Sequence, residues 1–222
     1  DGLESIVFTD GTRVFAGLVT GQIDVAHGEW GGAVRTRRDE IAKRMPDAVG
    51  QPRYATANGM AVRNKAPLNN AKVLKAFHLL MDRLAFVELA RGGEGTLDPS
   101  GVLYAHSGSV WALPSEEIMG TPGYRYVDRQ SGKVELDQWK ILKSGSAVYE
   151  KDPADIAAAK KLLADVGLDP DKGLFPDLEI VSDNLYNEAN ATVLMQTLRD
   201  FLGKKVSVTL NILDFASAQE IR

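Results

Sequence analysis

Several stretches of the chain carry apolar residues at the three-to-four-residue spacing of a helix that hides one face. Val14, Phe15, Leu18 and Val19 follow Thr12, a residue suited to an N-cap, and precede Gly21, where a left-handed C-terminal cap is favoured. Arg35 to Met45 predicts a charged, solvated helix ended by Pro46. The longest run is Val73, Phe77, Leu80, Leu84 and Val87, flanked by Leu74 and Met81. Asn69 or Asn70 caps it and Gly92-Gly93 ends it, which predicts one continuous helix. Asp152-Pro153 opens another helix, with proline at the first position, where its missing N–H costs nothing. Its buried stripe is Ile156, Ala159, Leu163 and Val166, and Gly167 closes it. Residues 186 to 202 predict a further helix, capped by Gly203.

Alternation at period two marks the strands. Residues 4 to 8 and 22 to 26 predict two short strands around the first helix. Tyr54 to Val62 alternates between a small face (Ala55, Ala57, Gly59, Ala61) and a larger one (Tyr54, Thr56, Asn58, Met60, Val62). Leu178 and Ile180 mark a strand, and Lys205 to Leu213 alternates with Val206, Val208, Leu210 and Ile212 facing one way. Strands joined through a helix are usually parallel. The class is α/β, a mixed sheet with packed helices. Between Gly93 and Asp152 glycine and proline punctuate the chain; this stretch is expected to wrap over a surface or carry short helices such as Pro114 to Met119.

Composition narrows the function by exclusion. The 222 residues can bury a substantial core, and the absence of cysteine excludes disulfides, thiol nucleophiles and thiolate metal sites. A formal charge of −4 with interspersed signs offers no basic stripe for nucleic acid. No apolar run approaches the roughly 20 residues of a membrane helix. His27, His78 and His106 are the only histidines, and none has zinc-protease spacing or a serine in a nucleophile-elbow context. His78 reads as a surface or core-edge residue. Gly92-Gly93-Glu94-Gly95-Thr96 follows a helix and lacks the Lys-Ser/Thr ending of a phosphate loop. The sequon Asn190-Ala191-Thr192 lies within a predicted helix, and the adjacent Glu116-Glu117 diverge. Neither catalysis nor a cofactor has local support. Asp1 runs straight into Ile6-Val7-Phe8 without an initiator Met, signal peptide or lipid-attachment Cys, and the last residues read as a helix barely begun. The expectation is a segment of a longer chain.

The order of segments resembles the bacterial extracellular solute-binding proteins of family 5, which include dipeptide, oligopeptide and nickel receptors. Thr20-Gly21-Gln22-Ile23-Asp24-Val25-Ala26 resembles their glycine-x-isoleucine-aspartate strand, and Tyr54-Ala55-Thr56-Ala57-Asn58 their tyrosine-to-asparagine strand. Lys65 to Phe77, with Pro67 and the Asn69-Asn70 turn, Met81-Asp82-Arg83, and the glycine turn Gly93-Glu94-Gly95-Thr96 follow in the family's order. So do Trp111 to Glu117 with Pro122-Gly123-Tyr124, and Asp152-Pro153 with Ala159 to Gly167. Leu74-Lys75-Ala76-Phe77 stands where the family has Arg-Lys-Ala-Leu, and residues 125 to 150 are longer than in many relatives.

The resemblance implies one lobe of a two-lobed periplasmic-binding-protein type II fold. Residues 1–28 would cross over from the first lobe, and residues 29–222 would form the second, cut short at its end. It implies a receptor component of an ABC importer and no enzyme: a monomer at the periplasmic or extracellular face of a bacterial membrane, sometimes lipid-anchored. Its partners would be a peptide or other small solute and a membrane permease, with no nucleic acid, metal or cofactor. It implies ligand contacts from Phe215, two positions past the last strand, from Asn58, and from Trp111 at the cleft mouth. A core phenylalanine, a satisfied strand amide and a loop-pinning tryptophan are the alternatives. It also implies that the other cleft wall lies upstream of Asp1, that the residues holding peptide termini lie past Arg222, and that this segment alone binds solute weakly. The alternative function is a free-standing α/β enzyme or regulatory ligand-binding domain.

Overall fold

The computed structural model describes residues 2–6, 8, 11–26, 37–49, 65–93, 95–97, 113–183, 188–214, 217 and 220. The chain divides into two compact units, Asp1–Arg53 and Tyr54–Arg222.

In the first unit, helix α1 (Gly11–Val19) buries Val14, Phe15 and Leu18 of the predicted stripe and leaves Val19 half-buried. Thr12 lies inside the first turn instead of capping it, and Gly21 takes a left-handed φ of 72° as expected. Helix α2 (Arg38–Arg44) is short and charged, with Arg44 paired to Glu40 one turn back. The strands expected at 4–8 and 22–26 are a correction. Their described residues form no ladder, and Ile6 and Val25 stand exposed. Apolar alternation stabilises a strand only when a neighbour supplies hydrogen bonds, and none is paired to these segments among the described residues.

The second unit has two cores. Helix α3 (Ala71–Leu80) starts where Asn70 accepts a hydrogen bond from the Lys72 N–H, 2.9 Å. Its buried face of Val73, Ala76, Phe77, Leu79 and Leu80 packs on helix α7 (Pro153–Ala164). Strand β4 (Leu178–Asp183), helix α8 (Glu188–Leu202) and strand β5 (Val208–Leu213) complete this layer. The two strands are parallel, in register from Leu178 with Val208 to Asp183 with Leu213. The first core joins α3, α7, α8 and the two strands, with Leu163 and Leu202 fully buried and Phe77 near Phe175. Val206 and Val208 are buried while Leu210 and Ile212 are half-buried, so the predicted alternation of β5 holds.

The single helix expected from Asn70 to Gly92 is a second correction. It breaks at Met81-Asp82, whose backbone is extended (ψ 116° and 91°). Helix α4 then begins, as an α-turn over Arg83–Ala85 that widens to a π-helix over Phe86–Ala90. Asp82 caps it through the Ala85 N–H, 3.1 Å. Gly93, at φ 86°, donates to the Val87 carbonyl and ends the helix as predicted.

The stretch after Gly93 holds more order than its composition predicts. Helix α5 (Ser115–Met119) sits at the expected short helix, followed by β1 (Tyr126–Asp128), β2 (Val134–Glu135), helix α6 (Gln138–Ser144) and β3 (Tyr149–Lys151). The strands form an antiparallel sheet in the order β2-β1-β3. With Leu84, Val87, Leu97, Met119 and Ile141, the buried Tyr126 and Tyr149 make the second core. Strands of two or three residues are too short for alternation to register. The predicted strand Tyr54 to Val62 lies outside the described residues, as do His27 and His106. The architecture is mixed α/β, as predicted.

Candidate functional site

Asn58, Trp111 and Phe215 all lie outside the described residues. The structure describes what borders two of them. β5 ends at Leu213, and the carboxylate of Asp214 accepts from the Ser217 N–H (3.0 Å) and hydroxyl (2.6 Å). That is the bond pattern of a helix N-cap, and Ser217 and Glu220 are helical. In the sequence Phe215 comes two positions after Leu213, the last residue of that strand. Trp111 falls between Leu97 and Ser115, which meet at one buried side chain. Gln138, 1% exposed, accepts from the Leu97 N–H (3.0 Å) and donates to the Ser115 hydroxyl (2.6 Å).

A shallow depression of about 380 Å³ lies between the carboxyl end of α8 and the amino end of β5, walled by Arg199, Lys204 and Ser207 among others. Open α/β sheets take their ligands outside the carboxyl ends of parallel strands. This depression is at the opposite end, so the site is not assigned there.

The densest electrostatic feature is a cluster around Gly123, which residue-by-residue sequence reading did not find. Asp155, on the first turn of α7, is fully buried and accepts from the Gly123 N–H, 2.7 Å. It also pairs with the Arg125 guanidinium and lies 3.5 Å from the Lys151 ammonium. The Gly123 carbonyl accepts from both Arg83 and Lys151. Arg125 Nε stands 3.1 Å from Asp152, the cap of α7, without the alignment of a hydrogen bond. Gly123 has φ 98°, and a side chain there would run into His78. His78 is exposed and held at the rim by the Pro122 carbonyl, Arg83 and an edge-on Tyr124, within the surface or core-edge placement expected of it. Partial burial and the Arg83 charge lower its pKa.

Burial lowers the Lys151 pKa to about 8, against the pull of Asp155. A lowered lysine pKa is a mark of functional sites, but structural ion networks produce it too. Here the ammonium is committed to a carbonyl and a carboxylate, and its side chain is 6% exposed, which leaves no face for a substrate. The cluster fastens the second core to α7. Among the described residues no three His, Asp or Glu side chains converge as metal ligands, and no helix is long and apolar enough to cross a membrane.

Comparison with known families decides the lineage. The family model described as bacterial extracellular solute-binding proteins, family 5 Middle, matches residues 1–222. The chain belongs to that family. Family 5 proteins have a type II periplasmic-binding fold and serve ABC importers as solute-binding receptors. They are non-enzymatic carriers that work in the periplasm or outside the cell. No curated protein matches the chain.

Proposed function

We propose that this family 5 protein is the substrate-binding component of an ABC importer that captures a peptide or similar small solute between two lobes and hands it to a membrane permease. Residues 29–222 supply the second lobe in this reading, residues 1–28 the crossover from the first, and the receptor acts as a monomer. The solute favours the closed form because it touches both lobes only there, and capture needs no covalent step. Phe215 gives the solute an aromatic face, Asn58 an amide, and Trp111 borders the mouth.

The observation that carries the proposal is positional. The family match spans the whole chain, and β5 ends at Leu213 beside its parallel partner β4, two residues before Phe215. The crevice outside the carboxyl ends of such strands is where this class of fold binds ligands.

The test uses the full-length protein. Native mass spectrometry identifies the solute it carries, and calorimetry then compares wild type with Phe215→Ala. Loss of an aromatic contact worth on the order of 1 kcal/mol beyond area burial weakens binding about fivefold or more, with little change in melting temperature. A loss of roughly 3–5 kcal/mol in stability would instead place Phe215 in the core.

A further inference from the structure

We propose that His78 is an acid-sensitive clasp between the two cores of the second unit: its imidazole holds Arg83 and the Pro122-Gly123 turn together only while it is uncharged. The inference goes beyond the receptor reading and holds whatever solute is carried.

The geometry fixes the state of the ring. His78 lies in the last turn of α3, whose apolar face builds the first core. Its Nδ1 stands 3.3 Å from an Arg83 guanidinium nitrogen, and its Nε2 stands 3.3 Å from the Pro122 carbonyl oxygen. A guanidinium offers only N–H donors, so Nδ1 is the bare nitrogen that accepts. A carbonyl oxygen only accepts, so Nε2 carries the proton, and the ring is neutral. Both contacts reach elements of the second core: Arg83 opens α4, and Pro122 precedes Tyr124, which packs on that core. Nothing separates the ring from the turn, since a Cβ on Gly123 would overlap His78 Nε2. Gly123 is also where Arg83, Lys151 and Asp155 meet, through its carbonyl and its N–H.

A proton on Nδ1 turns the Arg83 contact into two donors face to face and sets two positive charges against each other. The groups that face the ring are Arg83 from α4, Tyr124 from the turn, Lys151 from β3 and Asp155 from α7. Arg83, Arg125 and Lys151 are already matched by Asp82, Asp152 and Asp155, so a charged His78 adds a surplus cation. Partial burial, then the Arg83 charge, hold the His78 pKa below its ordinary 6.5. A released ring takes up the proton first, so the clasp is complete above about pH 6.5 and weakens as pH falls below it. His78 is exposed, so its ring can swing into water without opening either core. The bond from Gly123 to Asp155 stays, and only the tie from α3 to Arg83 and the turn is lost.

The experiment uses the full-length protein as wild type, His78→Gln and Arg83→Gln. Glutamine at 78 can bond both partners and never takes a charge. Nitrogen NMR of the imidazole, assigned by the signal missing from His78→Gln, reads the tautomer and the titration. Hydrogen exchange, corrected for intrinsic rates, reads protection at the Gly123 and Tyr124 amides at pH 7 and pH 5. The expected ring is neutral with the proton on Nε2, and it titrates below 6.5 in wild type and closer to 6.5 in Arg83→Gln. Protection at Gly123 and Tyr124 falls about fivefold from pH 7 to pH 5 in wild type, the equivalent of one ordinary hydrogen bond, and holds in His78→Gln. The amides of β1, β3, β4 and β5 keep their protection throughout. A ring protonated on Nδ1 at neutral pH, or titrating at or above 6.5, overturns the clasp. So does wild-type protection that stays level, or an equal fall in His78→Gln, which assigns the effect to the carboxylates. A fall shared evenly by all four strands marks general acid destabilisation and overturns it too. If Arg83→Gln does not fold, the tautomer and the comparison of wild type with His78→Gln still decide.

Discussion

Asp155 has no exposed surface, and it stands against Arg125 and Lys151 while bonding the Gly123 N–H. Asp155→Asn keeps an acceptor for that N–H but takes the carboxylate away from two cations, leaving Arg125 only Asp152 and the buried Lys151 only the Gly123 carbonyl. Breaking a buried pair costs about 3–5 kcal/mol, which is expected as a lower denaturant midpoint at unchanged slope. Asp165 pairs with Lys72 at the surface, 3.2 Å apart and about half exposed on both sides. Asp165→Asn is expected to change stability by no more than about 1 kcal/mol. Lys151 sets an unusual pH dependence. Burial holds its folded pKa near 8, below its ordinary 10.5, with Asp155, Arg83 and Asp82 the charges that face it. Between those values the unfolded chain holds the proton and the folded chain has released it, so stability rises with pH above about 8. Burial raises the Tyr126 pKa well above 10, and above about pH 10 the unfolded tyrosine ionises first, which reverses the trend. Unfolding at successive pH values from 7 to 10 is expected to show the rise in wild type and not in Lys151→Met.

At the scale of elements, the break between α3 and α4 shows how a periodic pattern outlives the helix it predicts. Val73, Phe77, Leu80, Leu84 and Val87 are all buried, as their spacing requires. The first three belong to one core and the last two to the other, and a straight helix could not serve both. The break is held by Tyr126. Its hydroxyl donates to Asp82 (2.9 Å) and accepts from the Leu84 N–H (2.7 Å), one of the N–H groups left open at a helix start. Tyr126→Phe leaves that buried N–H unpaired and is expected to cost about 1–3 kcal/mol, measured by denaturant unfolding. Each of the two three-residue strands β1 and β3 sets one buried tyrosine, Tyr126 or Tyr149, into the second core.

Across the second unit, two cores imply two regions of separable stability. Ile141 and Leu198 are almost fully buried, one in each core. Either residue changed to Ala is expected to cost about 2–5 kcal/mol. Hydrogen exchange distinguishes them: Ile141→Ala speeds the amides of β1 and β3 first, and Leu198→Ala those of β4 and β5. Equal acceleration everywhere in both variants would mean a single cooperative unit.

What the sequence determined by itself was whatever depends on near neighbours in the chain. The caps at Asn70 and Asp152, the left-handed glycines at 21, 93 and 167, and the parallel pair around α8 were legible because a turn or a period needs only a few adjacent residues. The family was legible because many weak motifs kept one order along the whole chain. The candidate contacts Asn58, Trp111 and Phe215 came from that order alone, since no local pattern of charge or spacing marks a neutral binding surface. Tertiary structure decided the rest. Asp155 looks like any acidic residue in a helix's first turn, and Gln138 like any amide, until Arg125, Lys151, Leu97 and Ser115 arrive from distant parts of the chain. The break at Asp82 follows the same rule. A hydroxyl from Tyr126 supplies there a bond that continued helix would have supplied itself, and no run of local residues records that exchange.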